Sequence, residues 1–121
     1  MGTFRVEIEV GAAAGERWET VEALVDTGAS YTWLPRDILD RLRVQPKFRQ
    51  EFETADGRII ERDMAAVTAR WDGQTRPTLV VFVDEGSRPL LGVVTLEEFS
   101  LGVDPVNGRL TRVRGLAMFA N

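Results

Sequence analysis

The order of apolar and polar residues cuts the chain into short segments. From Thr3 to Val10 the two kinds alternate strictly. Phe4, Val6, Ile8 and Val10 fall on one side, and Thr3, Arg5, Glu7 and Glu9 on the other. A period of two sends successive side chains to opposite faces, so this segment is predicted to be a strand with one buried face. The small residues from Gly11 to Gly15 predict a loop. Trp18 to Val25, with Val21, Ala23 and Val25 on one face, predicts a second strand that returns beside the first as a hairpin.

The pattern changes period at "PRDILDRL". Ile38, Leu39 and Leu42 form one apolar side, Pro35 suits a first helical turn, and Asp37 lies near the positive end. Arg41 and Arg43 lie near the negative end, so a short helix is predicted. The long stretch from Phe48 to Val83 holds two Asp-Gly pairs, Asp56-Gly57 and Asp72-Gly73. Asp-Gly between extended segments marks a hairpin, so three strands in a meander are expected. The alternation slips near Ala65 and Ala66, which predicts a bulge in the middle strand. Thr95-Leu-Glu-Glu98 has the form of a capping box and predicts a second short helix. Leu101 to Asp104, Asn107-Gly108 and Arg109 to Val113 predict a last hairpin. Seven or more short strands with two short helices make a mostly-β domain with closed or barrel-like sheets.

Composition narrows the chemistry. The 121 residues suit one domain, spanning 1–121, and suffice for a real core. With 44% hydrophobic and 28% charged residues, the chain has a globular composition. It has no Cys and no His. Disulfides, thiol nucleophiles, Ser-His-Asp catalysis and nearly all zinc enzyme sites are thereby excluded. A net charge of -4 argues against nucleic acid as a partner. The most apolar run, Leu79 to Val83, is far too short to span a membrane, and the first residues lack an apolar signal core. No membrane partner and a cytoplasmic location are the expectations.

The candidate chemistry lies in "ALVDTGASYTWLP", Ala23 to Pro35, where an apolar strand runs directly into a carboxylate. Burying a lone carboxylate costs several kcal/mol, on the order of the penalty for an uncompensated ion. Two readings are open from these residues alone. The strand ends at the surface in an ordinary turn, with Asp26 capping and Gly28 at positive φ, or Asp26 is held inside for its reactivity.

The full segment "ALVDTGAS" resembles the active-site segment of the retropepsin-like, single-lobe aspartic proteases. "FETADGRIIERDM" stands where that family has a flap hairpin. Leu90-Leu91-Gly92 followed by "VVTLEEFSL" stands where it has an apolar-apolar-Gly segment before a short helix, and "LGVDPVNGRL" is similar to its bacterial and cellular members. The resemblance covers most of Phe4 to Val113, in order and spacing.

It implies a retropepsin-like acid protease fold, a mostly-β closed barrel with one or two short helices that forms a homodimer. Only one Asp-Thr-Gly is present, so the second aspartate is expected from a second copy across a twofold axis. Two carboxylates about 3 Å apart cannot both ionise and share one proton. The implied function is an aspartic endopeptidase in which Asp26 activates water, with no metal and no cofactor. Thr27 and Gly28 belong to the active-site loop, Thr27 with its hydroxyl turned inward as a brace. Ala29 and Ser30 line the substrate backbone, and Asp56, Gly57 and Arg58 form the flap tip. The partner is a peptide or protein substrate. Four matters stay open on this reading. Asp56, Gly57 and Arg58 also suit an ordinary exposed hairpin turn. Ser30 also suits a plain loop end. Trp33 is a packing residue or a pocket wall, whereas Trp71 is read as packing. The tail "RVRGLAMFAN", with Leu116, Met118 and Phe119, is an interface strand or a free end. A catalytically weak module of the same fold, used for peptide binding or dimerisation, is the alternative function.

Overall fold

The computed structural model describes residues 4–12 and 17–114. Within them the chain forms β1 (Arg5–Gly11), β2 (Trp18–Val25), β3 (Thr32–Pro35), α1 (Arg36–Arg41), β4 (Phe48–Glu53) and β5 (Ile59–Trp71). It continues with β6 (Gln74–Val83), β7 (Leu90–Leu91), α2 (Val93–Glu98), β8 (Leu101–Asp104) and β9 (Arg109–Arg112). The expectation of a mostly-β chain with two short helices is met. The tail beyond Arg114, with Leu116, Met118 and Phe119, lies outside the described residues.

The expected first hairpin forms, with Arg5 opposite Leu24 and Gly11 opposite Trp18. The meander forms as well. β4 pairs β5, and β5 pairs β6, both antiparallel. Asp72 and Gly73 turn the second of these hairpins with φ of 50° and 77°, two left-handed residues between Trp71 and Gln74. That is the type I′ geometry whose twist matches the strands, and it is why Asp-Gly stands there.

Distant segments assemble the rest. β7 is only two residues long, yet it lies parallel to β2 and antiparallel to β3, and β3 lies parallel to β6. The strand order is β1-β2-β7-β3-β6-β5-β4, and β1 also pairs β5 from Glu9↔Arg70 to Gly11↔Thr68. The run of pairings therefore returns to its first strand, and β4 is left at the free edge. β8 and β9 form a separate two-stranded sheet.

Two apolar clusters result. The larger one gathers Ile8, Val10, Val21, Ala23 and Val25 with Leu34, Leu39, Val67, Phe82, Leu91 and Phe99. The smaller one holds Met64, Val81 and Val83 beneath Tyr31, Trp33, Phe52 and Leu79. This second cluster overturns the bulge expected at Ala65 and Ala66. The register of β5 with β6 runs unbroken from Met64↔Val81 to Trp71↔Gln74. Met64 is buried on one face, while Ala65, Val67 and Ala69 are buried on the other. The alternation slips because β5 passes from one cluster to the next, not because a residue is inserted.

The capping box is also corrected. α2 begins at Val93, its N-cap is Gly92, and no side chain caps it. Thr95 lies inside the helix, fully buried. α1 ends as expected in basic residues, but Arg43 lies beyond it, at φ 58°. The Arg43 N–H donates to the Asp40 carbonyl at 2.9 Å and the Val44 N–H to the Leu39 carbonyl at 2.9 Å. These two bonds make a Schellman cap with arginine where glycine is usual.

Candidate active site

β2 delivers Asp26. Val21, Ala23 and Val25 are buried on one face, and each buried valine contributes about 1.5–3 kcal/mol to holding the strand in place. The exposed ion pair Arg5–Glu22 at 3.6 Å on the same hairpin adds about 0–1 kcal/mol, so packing anchors the strand. At its end the backbone is clamped from both sides. The Val25 N–H donates to the Phe4 carbonyl at 2.9 Å and the Asp26 N–H to the Leu91 carbonyl at 3.0 Å. Leu90 and Leu91 thus lie behind the loop.

The loop after β2 closes on itself. The Ala29 N–H donates to the Asp26 carbonyl at 3.1 Å, and the Gly28 N–H to Asp26 Oδ1 at 2.9 Å. The latter is the side-chain bond that an ordinary Asp turn would also make. Gly28, however, is not among the positive-φ residues. Glycine matters here for space, because a Cβ would stand 3.2 Å from Asp26 Oδ1.

α2 holds the far side of the loop. The Val93 N–H donates to the Ala29 carbonyl at 2.9 Å and the Val94 N–H to the Ser30 carbonyl at 2.8 Å. The first N–H groups of a helix have no partner within it, so loop and helix satisfy one another. Gly92 makes the approach possible, since a Cβ there would meet the Tyr31 carbonyl oxygen at 2.3 Å. Three buried hydroxyls then pin the assembly. Thr95 Oγ1 lies 2.7 Å from Thr32 Oγ1 and 2.7 Å from Thr78 Oγ1, and the Gly92 N–H donates to Thr32 Oγ1 at 3.1 Å.

This network was missed in the sequence. Its signal was a threonine, Thr32, on the inward face of β3 with Leu34, which alternation alone could have flagged. Thr95 was hidden by its fit to a capping box. Thr27 is exposed, and its hydroxyl has no partner among the described residues.

The structure brings Asp26, Thr27, Gly28, Ala29 and Ser30 together on one surface loop. Asp26 and Ala29 are half-buried, and the other three are exposed. Of the two readings of the strand end, the single chain places Asp26 at the surface, not in the interior. Asp56, Gly57 and Arg58 come together elsewhere, at the exposed tip of the β4–β5 hairpin. Gly57 has φ 85°, and its N–H donates to the Thr54 carbonyl at 2.9 Å. The Thr54 hydroxyl donates to Asp56, and Arg58 pairs with Asp56 at 3.1 Å. The Thr54 bond, with help from Arg58, holds the Asp56 carboxyl below the usual range. No hydrogen bond or ion pair joins tip and loop among the described residues. Close behind its tip the hairpin does reach the loop's far end. Phe52 lies against Tyr31 at 6.1 Å, edge to face, and against Trp33 at 5.9 Å. Trp33 packs in the smaller cluster and Trp71 against the larger.

Among the described residues no cluster of acidic side chains could hold a metal ion. The arrangement offers one carboxylate, accepting one backbone hydrogen bond, on a loop fixed from three sides.

Comparison with known proteins places this geometry. The aspartyl protease family matches residues 6–104, which includes the Asp26 loop, the hairpin and α2. No curated protein matches. Among solved structures, the EIAV protease complexed with the inhibitor HBY-793 shares the fold, with a TM-score of 0.57 at 19% identity. The match covers 77% of this chain and 84% of that one. The chain belongs to the aspartyl protease family, in its retropepsin-like form.

Proposed function

We propose that the chain is an aspartic endopeptidase, active as a homodimer in which each copy contributes Asp26. The observation that carries this is the Asp26 carboxylate itself. It is half-buried at the surface on a rigidly braced loop, with the Gly28 N–H as its hydrogen-bond partner. A carboxylate kept only to cap a turn would need neither the Leu91 clamp nor the buried threonines behind it. Exposed Thr27 and Gly28 and half-buried Asp26 fit a loop that a second copy covers. The return of the strand order onto β1 supports the closed barrel of the family.

The chemistry follows from the pair. Two Asp26 carboxylates on a twofold axis share one proton. The charged one takes a proton from a water molecule as its oxygen attacks the scissile carbonyl carbon. The protonated one donates to the carbonyl oxygen and stabilises the charge that develops there. The tetrahedral intermediate collapses as the amide nitrogen receives the proton that the first carboxylate took from water, the C–N bond breaks, and the pair is left with its one shared proton. The extended peptide lies between the loops and the β4–β5 hairpins, held by backbone hydrogen bonds. Ala29 and Ser30 line it from below, and Asp56, Gly57 and Arg58 cover it.

The test is Asp26→Asn assayed on a peptide mixture. The amide keeps the shape but cannot act as base, so cleavage is expected to vanish while the far-UV spectrum and sedimentation stay unchanged. Undiminished cleavage by this variant would end the proposal. Peptide binding without cleavage by the unaltered chain would favour the binding module instead.

A further inference from the structure

The β4–β5 hairpin carries two rows of side chains. Directly opposed residues of an antiparallel pair share a face. The register therefore places Phe48 with Met64, Gln50 with Arg62 and Phe52 with Ile60 on one face. Arg49 with Asp63 and Glu51 with Glu61 lie on the other. The first face is the one from which Met64 and Phe52 enter the smaller cluster, beside Tyr31 and Trp33. Along β5 this row reads Ala66, Met64, Arg62, Ile60. A charged group interrupts an apolar row, on the side that looks toward the end of the Asp26 loop.

Among the described residues Arg62 has no acidic partner. On the opposite face Asp63 already takes Arg36 at 2.7 Å and Arg49 at 2.9 Å. Among the described residues the Arg62 guanidinium donates only to the Glu61 carbonyl, at 3.1 Å. A guanidinium offers five N–H donors in a planar fork that matches a carboxylate. Its cross-strand neighbour Gln50 and the Tyr31 hydroxyl also make no side-chain hydrogen bond among the described residues. Arg62 is half-buried, so part of its water has already been removed.

We infer that Arg62 is a specificity-determining residue that binds the acidic side chain, Asp or Glu, of an extended peptide. The inference rests on the peptidase reading above. Arg62 lies two residues further from the hairpin tip than Ile60, so the acid belongs at a position removed from the scissile bond. The cross-strand Gln50 amide supplies further donors on the same face.

The experiment uses peptides identical except for Glu, Gln or Lys at each position in turn. They are assayed for cleavage by the full chain and its Arg62→Gln, Arg62→Lys and Arg62→Glu variants. The same peptides are titrated onto Asp26→Asn with and without Arg62→Gln, read by tryptophan fluorescence. The full chain is expected to prefer Glu over Gln at one position by about tenfold in kcat/KM, mostly through KM. Arg62→Gln should lose that preference, Arg62→Lys should keep part of it, and Arg62→Glu should favour Lys at the same position. A merely structural role would slow all peptides alike and reverse none. If the chain cleaves peptides but the Glu-to-Gln ratio ignores Arg62, this inference falls and the peptidase reading stands. If nothing is cleaved, the titrations decide. A Glu preference that Arg62→Gln removes upholds the inference, and equal binding or no binding overturns it.

Discussion

The Asp26 loop depends on residues that have no part in the chemistry. Thr95 is the centre of the buried hydroxyl group, with Thr32 and Thr78 each 2.7 Å away. Thr95→Val keeps its volume but leaves two buried hydroxyls short of a partner. The expected cost is about 1–3 kcal/mol, measured by urea unfolding, with Thr95→Ser nearer the unaltered chain. A Thr95→Val protein as stable as the parent would show that the network contributes nothing net. Gly92 is stricter, because its missing Cβ is the space in which the Tyr31 carbonyl lies. Legibility differs sharply at this scale. Asp26 stood out in the sequence by its motif, whereas Thr32, Thr78 and Thr95 lie 17 to 63 residues apart in the hydrogen-bonded pairs they form. No local pattern relates them, and only the packing of α2 over β3 and β6 brings their hydroxyls together.

Elements were legible where their signals are local. The Asp72-Gly73 turn and the alternation of β1 are short-range facts, and both elements formed where expected. β7 was not legible as a strand, since two residues carry no period and its partners are remote. The end of α1 offers a test of local strain. Arg43 occupies the left-handed position of a Schellman cap, where a side chain is disfavoured and glycine is not. Arg43→Gly is expected to stabilise the protein by about 0.5–1 kcal/mol, read as a rise in the urea midpoint. A lower midpoint would mean that the arginine side chain makes up for its strain. The β4–β5 hairpin carries an acid-sensitive element as well. The hydrogen bond from Arg36, and then the charges of Arg36 and Arg49, hold the Asp63 carboxyl below the usual range. A depressed value means that the folded state favours the charged form. That stability is complete above the unfolded carboxyl value of about 4, and it is lost as pH falls through the lower folded value. Asp63→Asn should be less stable than the parent at pH 7, and its stability should fall less steeply below about pH 4. Parallel stability curves for the two proteins would refute the linkage.

For the whole molecule, the described chain holds one Asp26 loop, at the surface. A single copy therefore carries half of the proposed site. Activity per chain is expected to fall on dilution, in step with loss of the dimer by sedimentation, because association supplies the second carboxylate. Specific activity that stays constant while sedimentation shows monomer would mean that one copy is sufficient. The β4–β5 hairpin meets the end of the Asp26 loop at Phe52, one pair behind the last pair before the tip, where it touches Tyr31 and Trp33. The hairpin is thereby held against the loop close to its tip, while Asp56, Gly57 and Arg58 make no hydrogen bond or ion pair to the loop among the described residues.

The amino-acid order by itself determined the strands with a clean period, the Asp-Gly turns, the exclusion of thiol and imidazole chemistry, and the position of the carboxylate proposed to react. Each of these follows from residue types or from neighbours a few positions apart. Tertiary structure alone decided that β5 buries both faces, that Thr95 is a buried brace instead of a cap, and that Arg62 shares the face of Phe52 while Asp63 does not. Those outcomes turn on which segments meet across the sheet. A strand's own pattern states how its side chains alternate, but which faces are covered, and by what, is fixed only when remote strands and helices pack against it.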